Sequence, residues 1–142
     1  MLSKKSHNLM SLPRSIQQKQ LLDAYRNYAD TIFRYCYYRV FDRGIAKDLL
    51  EKTYCRAWRH LATGGSIENT KTFLYKTAHT LIVQELGKQD TYYDESEDLF
   101  DVMVLRHIAH LSQEEIVFVL NRAHRTIPSR IAMSFKRLMA IF

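Results

Sequence analysis

Apolar positions return every three or four residues along most of the chain, in six runs separated by short polar breaks. The first run holds Leu21, Leu22, Tyr25, Tyr28, Ala29, Ile32, Phe33, Cys36 and Val40, and Ser15 with Gln18 offers a capping box at its start. Asp42 is placed to cap a second helix carrying Ile45, Leu49, Leu50, Tyr54, Ala57, Trp58 and Leu61. Gly44 weakens its first turn, and Thr63 to Glu68, with two adjacent glycines, reads as a loop. Asn69 then caps a third helix with Phe73, Leu74, Thr77, Ala78, Leu81 and Ile82, and Gly87 suits its end. Leu99, Val102, Met103, Leu105 and Ile108 make a fourth run.

The last two runs belong together. Ser112 and Glu115 stand in the S-x-x-E relation of a capping box, so a helix begins there, with Ile116, Val119 and Leu120 inward. After a polar break, Ile127, Ile131, Phe135 and Leu138 form a second apolar side, with Arg and Lys opposite. Pro128 falls in the first turn of that helix, where a missing N–H does no harm. Helix, short turn and basic helix outline a helix-turn-helix, whose second helix enters the DNA major groove. An ordinary helical hairpin has the same outline.

Composition narrows the class without deciding it. With 46% hydrophobic and 25% charged residues the chain reads as globular, and four Gly and two Pro leave little room for an all-β fold. The net charge of +6 and a pI near 9.4 favour a polyanionic partner. Its distribution is more telling: residues 1–20, 21–89 and 102–142 each carry a net +4, while 90–101 hold six acids and no base. Two basic bodies are therefore joined by an acidic segment, and residues 1–14 read as a flexible basic tail.

No apolar run of signal-peptide or membrane-spanning length follows Lys4 and Lys5 or occurs elsewhere, so a cytoplasmic location without membrane insertion is expected. Cys36 and Cys55 lie on apolar stripes and read as small buried thiols of a reducing compartment. His107 and His110, three apart, lack a third ligand nearby and read as a surface pair, so no metal is expected. No nucleophile–base pair, metal cluster or phosphate-cradling loop stands out, so catalytic residues, cofactors and enzymatic activity are not expected.

Three stretches carry a family likeness. Tyr25 to Cys36, followed by Ala46 to Arg59, resembles the start of extracytoplasmic-function sigma factors, where an A-x-D-L-x-Q-E-x-F-x-x-A-W-R run forms the helix that docks on RNA polymerase. Asn69 to Thr80 is similar to their N-P-x-x-W-L-x-x-I-A-x-N run, which opens the promoter and captures a flipped base. Leu105 to Leu138 resembles their C-terminal helix-turn-helix, which reads the upstream promoter element. The likeness covers roughly residues 21–138, and three motifs in the right order on the right helices are specific together.

The resemblance implies an all-α chain of two small helical domains. These are a sigma region 2-like bundle at 15–89 and a region 4-like helix-turn-helix domain at 99–142, joined by an acidic linker at 90–98. It implies polymerase binding by Asp48, Leu49, Glu51, Lys52, Arg56 and Arg59. Contacts with the opened minus-ten promoter element fall to Asn69, Lys71, Phe73, Lys76, His79 and Thr80. His124, Arg125, Thr126, Ser129, Arg130 and Lys136 are the expected helix-turn-helix contacts with DNA, and an internal ion pair of Arg130 with Glu114 or Glu115 is the alternative. The physical chemistry of the middle group fits this role. Unstacking a base costs a few kcal/mol, and a Gly-Gly loop beside a helix start with lysines and an aromatic ring supplies amides, cations and a stacking face. The competing account places Phe73 and Leu74 in the core and the lysines on a solvated face.

The chain also departs from the pattern. Glu51-Lys52 replaces Gln-Glu, Thr80 replaces Asn, and Gln84 to Gly87 replaces D-x-x-R. Asn121, Arg122 and Met133 replace a Gly, an apolar plug and an Arg of the helix-turn-helix. The joint is short: the dozen or so residues from Gln89 to Phe100 span at most ~40 Å when extended. The expected function is that of an extracytoplasmic-function-type sigma factor, with core RNA polymerase, promoter DNA and an anti-sigma factor as partners. A sigma-like protein that titrates polymerase or an anti-sigma factor without reading a promoter is the alternative, and a plain helix-turn-helix regulator a third.

Overall fold

The computed structural model describes residues 14–88 and 95–120. Helix α1 is Arg14–Val40, α2 Arg43–Ala62, α3 Thr70–Lys88, α4 Glu95–His107 and α5 Gln113–Leu120. Among the described residues all regular structure is helical. The second helix of the expected helix-turn-helix, with residues 121–142, lies outside them, as does most of the 1–14 tail.

The caps follow local chemistry. Asp42 accepts the Ile45 amide at 2.9 Å and opens α2 two residues after α1 stops. Asn69 accepts the Thr72 amide at 3.1 Å and opens α3. At α5 the capping box closes in both directions: the Glu115 amide donates to Ser112 Oγ at 3.2 Å, and the Ser112 amide donates to Glu115 Oε1 at 2.8 Å. Three expectations shift. Helix α1 already includes Arg14, so Ser15 sits inside it and does not cap it, and α3 runs through Gly87 to Lys88. Residues 95–98, expected in the linker, form the first turn of α4. Acidic residues at a helix start favour the positive end of its dipole, which is why an acidic run is compatible with helix there.

Helices α1, α2 and α3 pack on one another around Ile32, Tyr35, Ala46, Leu50, Leu74 and Ile82, all buried. The second lobe does not stand apart. Helix α4 packs on α1, α5 packs on α3 and α4, and Val102, Leu105, Ile116 and Val119 continue the same hydrophobic cluster. Leu22 and Tyr25, expected inward, are half exposed, and Tyr35, absent from the expected stripe, is fully buried. The apolar arc of α1 is wider than one partner covers, so its Leu22 and Tyr25 edge is left beside α2 while Tyr35 turns toward α3 and α4.

Candidate nucleic-acid and polymerase interfaces

Helix α2 presents Asp48, Glu51, Lys52, Arg56 and Arg59 to solvent. Asp48 and Lys52, one turn apart, pair at 2.9 Å with both side chains about half exposed. Such a pair is screened and weak, leaving a polar stripe open to a partner helix. Leu49, expected on this stripe, is buried against the bundle, one helical step from Asp48. Beside the stripe, Leu22, Tyr25, Tyr54, Cys55 and Trp58 line an apolar groove between α1 and α2. Tyr25 and Tyr54 meet there edge to face, with ring centroids 5.1 Å apart. Trp58 and Tyr54, read from the sequence as core, are only partly buried, and Cys55 is exposed.

The residues expected at opened DNA gather on α3 and its start. Asn69 is spent on the cap, and Thr80 donates to the Lys76 carbonyl at 3.0 Å while staying exposed. Phe73 is partly buried, its ring centroid 5.1 Å from that of His60. Leu74 is core, as the plainer account had it. Lys71, Lys76 and His79 all reach across to the second lobe. Lys71 Nζ lies 3.3 Å from a Glu115 oxygen, Lys76 Nζ sits 4.6 Å from the centre of the Phe118 ring, and His79 Nδ1 lies 3.6 Å from Asp101. Partial burial pushes the Glu115 carboxyl upward. The Ser112 amide and Lys71 outweigh this and hold it below the ordinary carboxylate range.

The Gly-Gly loop does other work than the sequence suggested. The Gly65 amide donates to the His60 carbonyl at 2.9 Å and the Gly64 amide to Leu61 at 3.2 Å, closing the end of α2. Gly64 holds the left-handed φ of 91° that this closure needs, and a Cβ on Gly65 would stand 2.7 Å from the His60 carbonyl oxygen. These two amides already have partners at the end of α2.

Sequence reasoning missed the seam between the lobes. Asp101, counted as part of the acidic joint, is fully buried. Its Oδ1 accepts from Arg39 Nε at 2.7 Å and from the Tyr35 hydroxyl at 3.0 Å, and that hydroxyl also lies 3.0 Å from His79 Nδ1. The one available signal was an acid flanked by Phe100 and Val102 inside an apolar run. Glu115 pairs with Lys71, and its alternative partner Arg130 lies outside the described residues. So do His124, Arg125, Thr126, Ser129 and Lys136. His110, at φ 57°, sits beyond α4 in the turn to α5, so His107 and His110 do not share a helix.

Comparison with known proteins gives this arrangement its context. Residues 24–92 match the Sigma-70 region 2 family, a span that holds the α2 stripe and all of α3. A stretch of 39 residues, 28% of the chain, is 46% identical to the ECF RNA polymerase sigma factor BldN of Streptomyces coelicolor. That stretch covers 15% of the relative's own length. The solved structure of an RsbN–BldN complex aligns over 90% of this chain and 97% of the other, at 23% identity and a TM-score of 0.42. Over residues 24–92, just under half of its length, the chain is thus similar to Sigma-70 region 2, and over a shorter stretch to a sigma factor of the extracytoplasmic-function type.

Proposed function

We propose that the chain is a sigma factor that binds core RNA polymerase through the exposed stripe of α2 and directs promoter-specific initiation. The observation that carries this reading is the coincidence of the region 2 match with an open polar stripe on α2 and a lysine- and aromatic-bearing face on α3. Asp48, Glu51, Lys52, Arg56 and Arg59 make the polymerase contact. Lys71, Phe73, Lys76, His79 and Thr80, with the helix start at Asn69, handle the opened strand. The region 4-like part, 99–142, reads duplex DNA, with Arg125 and Arg130 as the cations that meet phosphate or a base edge. Its place of action is the cytoplasm, where polymerase and promoter are; among the described residues no helix is long and apolar enough to cross a membrane. An anti-sigma factor is a further partner, competing for the same α2 surface.

A sigma-like titrating protein is the second reading. Two observations favour it: Lys71 and Lys76 are engaged by α5, and Thr80 and Gln84 replace the family's polar pattern nearby. Affinity capture of core polymerase tests the first claim. The wild-type chain retains polymerase, and Asp48→Lys with Glu51→Lys loses it while helicity by circular dichroism stays unchanged. Retention by the doubly reversed chain contradicts the assignment of α2.

A further inference from the structure

We propose that His60 and Gln20 are positioning residues for the promoter-opening face: they set the backbone of the loop between α2 and α3 so that it receives a single strand, without touching the strand themselves. The inference rests on the reading of Asn69 to Thr80 as that face. Three side chains of the bundle hold the loop and the helix end that feeds it. Gln17, buried on α1, donates to the Leu61 carbonyl at 3.4 Å. Gln20, one turn further on, donates from Nε2 to the Thr70 hydroxyl at 2.9 Å and to the Ile67 carbonyl at 3.5 Å. His60 Nε2 lies 3.1 Å from the Ser66 carbonyl oxygen. A carbonyl oxygen only accepts, so this nitrogen carries the hydrogen and His60 is the donor. None of the three side chains belongs to a motif that the sequence displays.

His60 links the loop to the aromatic ring of the face. Its imidazole packs on Phe73, with ring centroids 5.1 Å apart, and a Cβ on Gly65 would stand 2.6 Å from the same imidazole. One side chain therefore sits against Gly65, bonds Ser66 and supports Phe73. The successive carbonyls of Ser66 and Ile67 are both drawn toward α1 and α2. Across a trans peptide the carbonyl of one residue and the amide of the next point opposite ways. The Ile67 and Glu68 amides thus turn away from His60 and Gln20, and neither meets an acceptor among the described residues. Ile67, Glu68, Asn69 and Phe73 line one groove at the start of α3. A loop ordered before binding spares the strand the cost of ordering it, and that saving appears as affinity.

Three substitutions separate the donor from the bulk that carries it. His60→Phe keeps a ring against Phe73 and Gly65 and removes the donor, while His60→Gln keeps a donor of similar reach and removes the ring. Gln20→Met removes the second donor and keeps the length of the side chain. Each full-length chain is compared with the wild type by two readouts: hydrogen exchange of the amides of residues 64–69, and affinity for a fluorescein-labelled single-stranded oligodeoxynucleotide of mixed sequence, alone and with core polymerase. His60→Phe and Gln20→Met exchange faster in the loop and each bind the strand about fivefold more weakly, the worth of one neutral hydrogen bond. His60→Gln stays near the wild type in both readouts. Unchanged loop exchange in His60→Phe, or equal behaviour of His60→Phe and His60→Gln, overturns the positioning role. Faster exchange with unchanged strand affinity also overturns it and leaves the promoter-opening reading in place. No strand binding by any chain, alone or with core polymerase, overturns the promoter-opening reading and the positioning role with it.

Discussion

The carboxylate of Asp101 and the guanidinium of Arg39 meet at 2.7 Å with side chains 0% and 3% exposed, joining two helices that stand 62 residues apart in sequence. Burying two charges is costly, and their attraction offsets that cost only when geometry and further hydrogen bonds are good. Here the second donor is the Tyr35 hydroxyl at 3.0 Å, and the Phe100 ring lies 5.1 Å from the Arg39 guanidinium carbon. The pair fixes α4 on α1 in one register, a task that apolar packing alone performs less uniquely.

Asp101→Ala therefore strips a buried cation of this partner and costs ~3–5 kcal/mol in urea unfolding. Arg39→Met combined with Asp101→Leu restores most of that loss, because an apolar pair of similar volume avoids the desolvation cost. A loss under ~1 kcal/mol for Asp101→Ala alone shows that the seam is not held by this pair.

The turn after α2 gives a second test. Gly65→Ala places a methyl 2.7 Å from a backbone oxygen that cannot move without unwinding the helix end, and Gly64→Ala forces a left-handed φ on a residue with a Cβ. Each destabilises by ~1–3 kcal/mol in thermal melts. Polymerase capture by the folded variants is unchanged, since these amides serve the helix end and not a ligand.

The two cysteines separate by reactivity. Burial pushes the Cys36 thiol up to about 12, so it is neutral at pH 8 and shielded as well, whereas Cys55 is exposed beside the α1–α2 groove. Titration of the native chain with a thiol-exchange reagent at pH 8 shows one fast group, and a second appears in denaturant. Two fast groups in the native chain place Cys36 outside the core.

Acid weakens the contact between α3 and α5 in a defined direction. The folded Glu115 carboxyl titrates below its ordinary 4.5, so its contribution is fully present above pH 4.5 and fades as pH falls through the lower folded value. Wild-type stability declines over that acid range more steeply than that of Glu115→Gln. Parallel acid limbs for the two chains remove Glu115 from the account of that decline.

The helices were legible in the sequence because their caps and periods are local: Asp42, Asn69, and Ser112 with Glu115 all do what their spacing says. The Arg39–Asp101 seam was not, because a charged residue in an acidic run looks solvated until a partner 62 positions away is brought to it. Leu49 misled for a related reason. A motif marks which helix meets a partner, but one residue step of about 100° decides which side chains face it. Lys71 and Lys76 were placed on the right helix, and what they touch depends on α5, which no local pattern predicts.

Run-off transcription on fragmented genomic DNA tests the central claim most directly. Core polymerase alone, core polymerase with the wild-type chain, and core polymerase with the Asp48→Lys, Glu51→Lys chain are compared. The account predicts discrete transcripts only with the wild-type chain, and their start sites share an upstream sequence. Polymerase binding by the wild-type chain without any specific transcript contradicts the sigma-factor reading and leaves a titrating protein of sigma-like shape.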